Sequence, residues 1–149
     1  MKKTLILILF FITSCGYQPV YLNKNTENLE FSKIILKGRS DLNRKIINTL
    51  SIKGNEKNNN LNELLLITDY KIEETSKNSK GQVQSYKSTI IVDVIISKNE
   101  KTVEKKKIIK NFTYGNKDKK FKLVEYQNKI KENLINEIIA ELILFLNLR

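Results

Sequence analysis

The sequence predicts an α+β domain: two helices packed on one face of a small, mostly antiparallel four-stranded sheet, in the order strand, helix, three strands, helix. Two observations carry that expectation. Between Leu64 and Ile96 apolar and polar residues alternate with a period of two, the pattern of half-buried strands. From Phe121 to Leu148 the chain has no glycine or proline, and its apolar residues recur at helical spacing, as they do over a shorter run from Leu42 to Leu50.

The first strand is read in LEFSKIIL, residues 29–36, short, rich in branched and aromatic residues, and stopped by Lys37 and Gly38. A helix follows over about Asp41 to Ser51, with Ser40 or Asp41 able to cap it and Leu42, Ile46, Ile47 and Leu50 forming its apolar stripe. The polar run GNEKNNN, residues 54–60, is a loop.

Two long extended segments come next, joined by SKNSKGQ with Gly81. In the first, Leu64, Leu66, Tyr70 and Ile72 share a face opposite Asp69, Lys71 and Glu73. In the second, Tyr86, Ile90, Val92, Val94 and Ile96 share a face opposite Ser85, Lys87, Thr89, Asp93 and Ser97. SKNEK, residues 97–101, turns into a further strand over roughly Val103 to Tyr114. After the loop GNKDKK comes the long helix, with Leu123, Ile130, Leu134, Ile138, Leu142 and Phe145 as its main stripe. Ile135, Ile139, Ile143 and Leu146 widen that stripe in the second half, so this part is expected to bury against the first helix, a larger internal core, or another protein.

The N-terminus has its own grammar. Lys2 and Lys3 precede an apolar run from Leu5 to Ile12, then Thr13, Ser14 and the only cysteine, Cys15. Eight apolar residues span about 12 Å as a helix, well short of a roughly 30 Å hydrocarbon core, so residues 1–14 read as a removed signal peptide. Ile12 to Cys15 resembles a bacterial lipobox. Cys15 would then become the first mature residue and carry a diacylglycerol and an N-acyl lipid, a stable anchor because several chains act together. Gly16 follows the cysteine where an aspartate would favour the inner membrane, so the outer membrane is expected. Residues 15–28, with Pro19 and a polar Asn/Lys/Thr cluster, form a tether, and residues 29–149 a single domain.

Composition narrows the function. Without Lys2 and Lys3 the 27 basic residues fall to 25 against 16 acids, still a strongly basic chain. Only Arg39, Arg44 and Arg149 are arginines, whereas base reading favours arginine forks, and export separates the chain from nucleic acid. Anionic lipids and the phosphates of lipopolysaccharide are the partners an envelope offers. Histidine is absent and the one cysteine is consumed by lipidation, which removes common bases, nucleophiles and metal ligands. Glu73 and Glu74 are adjacent, and neighbours on a strand point to opposite faces. A non-catalytic binding or scaffolding protein without metal or bound cofactor is expected.

Three segments carry a resemblance to a known family: Cys15-Gly16-Tyr17-Gln18-Pro19-Val20-Tyr21, the hairpin sequence GQVQSYKSTIIVDVII at 81–96, and FTYGNKDKKFKLVEYQNKIKENLINEIIAELILFL near the end. Together they resemble LptE, the lipopolysaccharide-assembly lipoprotein family, across essentially the whole mature chain. The resemblance implies a subunit on the periplasmic face of the outer membrane that plugs the large β-barrel of the lipopolysaccharide translocon, assists its assembly and binds lipopolysaccharide. It directs attention to Lys77, Lys80 and Lys87 around the hairpin and to Lys105, Lys106, Lys107 and Lys110 on the next strand as candidate phosphate contacts. A general envelope lipoprotein with a structural or scaffolding role and no lipopolysaccharide binding is the alternative, and a periplasmic hydrolase a third.

Overall fold

The computed structural model describes residues 29–147. The expected signal peptide (1–14), Cys15 and the tether (15–28) lie outside the described residues. The elements are β1 (Glu30–Phe31), β2 (Lys33–Gly38), α1 (Ser40–Thr49), β3 (Lys53–Gly54), β4 (Glu63–Lys77), β5 (Val83–Lys98), β6 (Lys101–Gly115) and α2 (Lys120–Asn147).

The four-stranded sheet has the order β2-β4-β5-β6. The α+β class with both helices on one face holds, but the sheet is mixed where the sequence suggested mostly antiparallel pairing. β4, β5 and β6 form the expected antiparallel meander, whereas β2 runs parallel to β4, Ile34 opposite Leu64 and Leu36 opposite Leu66. The reason is the intervening helix: α1 carries the chain back to the end of the sheet where β2 began, so the next strand repeats its direction.

The element order also differs from the simple expectation. The first extended segment breaks at Ser32, whose N–H donates to the Asn62 carbonyl at 2.9 Å. Before the break, β1 pairs in parallel with β3 as a separate two-stranded ribbon and buries Phe31.

The core lies between the sheet and the helices. Even-numbered residues face it: Leu64, Leu66 and Thr68 on β4 stand opposite Ile96, Val94 and Val92 on β5, with Ile108 of β6 beyond Val92. From α1 come Leu42 and Ile46, and from α2 Ile130, Leu134, Ile138 and Leu142. Each side chain of this size contributes about 1.5–3 kcal/mol when fully buried. The broad second half of α2 is an internal matter, since Ile135, Ile139 and Leu146 all belong to this core.

α1 starts differently from the expected cap. Ser40 and Asp41 are inside the helix, and Arg39 is the N-cap residue without a side-chain cap. Core hydrogen bonds fix that entry: Asn43 Nδ2 donates to the Lys37 carbonyl at 3.0 Å, and Thr68 Oγ1 donates to the Arg39 carbonyl at 3.1 Å. The β5–β6 turn has Asn99 and Glu100 both at positive φ, the backbone of a tight two-residue hairpin.

Candidate functional site

The structure places the sequence-nominated lysines in three locations. Lys77 and Lys80 sit at the β4–β5 hairpin, where Asn78 Oδ1 accepts the N–H groups of Lys80 and Gln82 and organises the loop. Lys77 pairs with Glu74 at 3.0 Å. Lys87, Lys105 and Lys107 lie on the sheet face away from the helices, Lys107 reaching Asp93 only at 4.0 Å. The register separates Lys87 from Lys105 by roughly 27 Å along the strands, so these residues do not form one pocket.

Lys106 and Lys110 point to the opposite, helix-covered side. Both bind Glu141 of α2, at 3.4 and 3.0 Å. The hydrogen bond from Lys110, aided by Lys106, holds the Glu141 carboxyl below the usual carboxylate range despite some desolvation. These two lysines therefore tie the edge of the sheet to the helix. Lys80, Lys87 and Lys105 have no carboxylate partner among the described residues.

A more concentrated basic feature lies at the hairpin end of the sheet. The β6–α2 connection is held to β5 by the Asn116 N–H on the Gln84 carbonyl and Asn116 Nδ2 on the Val83 carbonyl, both at 2.8 Å. Between that connection and the first turns of α2 is an open basin of about 490 Å³, where Lys117, Lys119, Lys122 and Lys129 outnumber Asp118 and Glu125 and stand beside Phe121 and Tyr126. Lys117 Nζ stands 4.4 Å from the Tyr126 ring centroid, a cation–π contact, and Tyr126 packs edge-on against Tyr114 at 5.7 Å. Lys129 bonds Glu125 at 2.7 Å and thereby holds its carboxyl below the ordinary range. Lys122 also acts on Glu125 through its charge, so the basin keeps a net excess of positive charge for an anion, and its rings give a sugar or acyl group something apolar to rest on.

In the sequence GNKDKK reads as a loop between the last strand and the long helix. The run of lysines was visible there, but the tyrosines that back it come from β5, β6 and α2, and only the fold brings them together.

No protein-family model matches the chain, and no curated protein matches it. Solved structures do. The rare lipoprotein B from Shewanella oneidensis superposes with a TM-score of 0.61 at 14% identity, covering 77% of this chain and 93% of that one. A minor lipoprotein from Acinetobacter baumannii gives 0.54 at 13% identity, covering 76% and 89%. This chain has the fold of those lipoproteins. A chain from Caulobacter crescentus gives 0.51 at 16% identity, covering 77% and 88%. The aligned share is close to the 29–147 segment, so the likeness concerns the whole folded domain and not one hairpin or helix.

Proposed function

We propose that this protein is a lipid-anchored, non-catalytic subunit of the outer-membrane lipopolysaccharide translocon, which plugs and helps to assemble its β-barrel and binds lipopolysaccharide. The lipid attaches through Cys15, and the folded domain stands on the periplasmic face. Three lines support the reading: the lipobox-like start, the LptE-like order of motifs, and a fold shared with proteins named as lipoproteins.

The observation that carries lipopolysaccharide binding is the basin at the hairpin end. Lysine ammoniums act as point charges on phosphate, and the neighbouring rings supply apolar contact to a phosphorylated, acylated sugar. Lys77 and Lys80 on the adjoining hairpin extend the same positive end. Lys106 and Lys110 belong to the scaffold, because both are tied to Glu141 of α2.

The test is titration with fluorescently labelled lipopolysaccharide. At roughly 1 kcal/mol per lysine near an anionic surface, reversing Lys117, Lys119 and Lys122 to glutamate together should weaken binding by about 100-fold or more at low salt. The difference should shrink as salt shortens the screening length to about 8 Å. Unchanged binding in the triple variant would move the site elsewhere, and absence of binding in the wild-type protein would favour a structural envelope lipoprotein.

A further inference from the structure

The edge of the sheet formed by β6 carries a feature that lipopolysaccharide binding leaves unused. β6 runs for 15 residues from Lys101 to Gly115 and ends the order β2-β4-β5-β6, so among the described residues one side of its backbone has no strand neighbour. Asn116 donates its N–H to Gln84, and the β5–β6 register continues unbroken from Ser85 opposite Gly115 to Ile96 opposite Glu104. In an antiparallel ladder, bonded and non-bonded pairs alternate. Even-numbered residues of β6 therefore turn their N–H and C=O groups toward β5, and Lys105, Lys107, Ile109, Asn111 and Thr113 turn theirs outward. An unpaired edge of this length is a template for another strand.

Beside that edge lies a groove of about 180 Å³ between β6 and α2, where Phe112 meets Tyr126, Ile130 and Leu134, and which Lys129, Asn133 and Glu137 also line. Phe112 is 49% exposed, and Ile109, on the other face of the same strand, is 50% exposed. The side chains of an added strand would alternate between these two surfaces. The edge also has a charge gradient. On the face away from the helices its first half carries Lys101, Lys105 and Lys107 beside the exposed Val103, with Lys105 free of any carboxylate partner among the described residues, whereas its second half presents Ile109, Asn111 and Thr113; on the helix side Glu104 and Lys106 lie in the first half and Lys110 and Phe112 in the second, both lysines paired with Glu141.

We infer that β6 is a strand-addition site for an extended protein segment that is apolar over one half and acidic over the other. Antiparallel pairing puts the apolar half of the segment first, against Ile109 to Thr113, and its carboxylates second, against Lys105 and Lys107. Main-chain bonds supply affinity and the groove supplies selectivity. A second copy of this chain is disfavoured, because the odd-numbered residues of β6 include no carboxylate to set against Lys105 and Lys107. The groove shares Tyr126 and Lys129 with the basin, but Lys117, Lys119 and Lys122 lie outside it, so loss of lipopolysaccharide binding in the triple variant would leave strand addition intact, and failure of strand addition would leave the translocon reading intact.

The test is amide hydrogen exchange on the full chain with a synthetic peptide of about ten residues, the length of a long strand. Its first half alternates valine and threonine and its second half glutamate and threonine; the control peptide has lysine in place of glutamate. The glutamate peptide should slow exchange by about tenfold or more at Lys105, Lys107, Ile109, Asn111 and Thr113, while the lysine peptide does not. Asn111→Pro should abolish the protection with little effect on the fold, because the Asn111 N–H does not bond to β5. If that variant does not fold, reversal of Lys105 and Lys107 to glutamate exchanges the preferences, so that the lysine peptide binds and the glutamate peptide does not. No protection of those five amides by the glutamate peptide, protection by that peptide that persists in either variant, or pairing of β6 with a second copy would overturn the inference.

Discussion

At the scale of single residues, the tightest constraint in the domain is Gly38. It has φ +83°, and a Cβ there would stand 1.9 Å from the carbonyl oxygen of Thr68. The same oxygen accepts the Arg39 N–H at 3.1 Å, while the Thr68 hydroxyl lies 2.9 Å from Asn43 Oδ1. The exit from β2, the entry to α1 and the middle of β4 thus meet at one point, and a side chain on Gly38 would push them apart. Gly38→Ala should lower stability by about 3 kcal/mol or more, since backbone strain and overpacking add. Gly81→Ala provides the comparison: φ is +78° there but the space is empty, so only the left-handed cost of about 1–2 kcal/mol applies. Urea midpoints of the two variants measure the difference, and equal losses would show that the contact with β4 is relaxed at little cost. In the sequence Gly38 could be read as the end of a strand. Its close partner, Thr68, lies too far along the chain for local pattern to connect them.

At the scale of elements, the two helices are joined by charge as well as by packing. Asp41 in the first turn of α1 binds Arg39 at 3.2 Å and Lys131 of α2, and both cations also stand near the ring of Tyr70 on β4. A second pair, Lys45 with Glu132, bridges the same helices. Hydrogen bonds from Arg39 and then Lys131 hold the Asp41 carboxyl far below its ordinary value of 3.8. On acidification the unfolded chain therefore takes up this proton before the folded one. The clamp contributes in full above pH 3.8 and is lost as the pH falls below that value toward the folded pKa. Asp41→Asn should flatten the fall in stability between about pH 5 and pH 2 relative to wild type; identical pH profiles from denaturant unfolding would mean that the pair is solvated in both states.

Elements whose order is written in local pattern were legible: the alternation of Leu64 to Ile96 and the stripe of α2 are visible without any tertiary knowledge. The break at Ser32, the ribbon of β1 with β3 and the parallel β2–β4 pair were not. Each depends on where a distant segment returns, as Asn62 does to Ser32. The candidate site divides the same way. The lysines could be nominated from the chain, but opposite strand faces separate Lys105 from Lys106, and the fold joins Lys117 to Tyr126.

At the scale of the molecule, the architecture is one-sided. Both helices cover one face of the sheet, and the other carries Ile35, Leu65, Ile67, Ile91 and Ile95, partly exposed among lysines and aspartates. Among the described residues no helix is long and apolar enough to cross a membrane. In the proposed function, the basic end would take an anionic amphiphile and the mixed polar surface would face a polar barrel lumen. The central claim is the partnership with one barrel. Its most direct test is affinity purification of the tagged, lipidated protein from detergent-solubilised envelopes, with partners identified and quantified by mass spectrometry. Recovery of one large outer-membrane β-barrel in about equal amount is the expected result. Recovery of the protein alone, in a detergent that keeps barrel complexes intact, would contradict it.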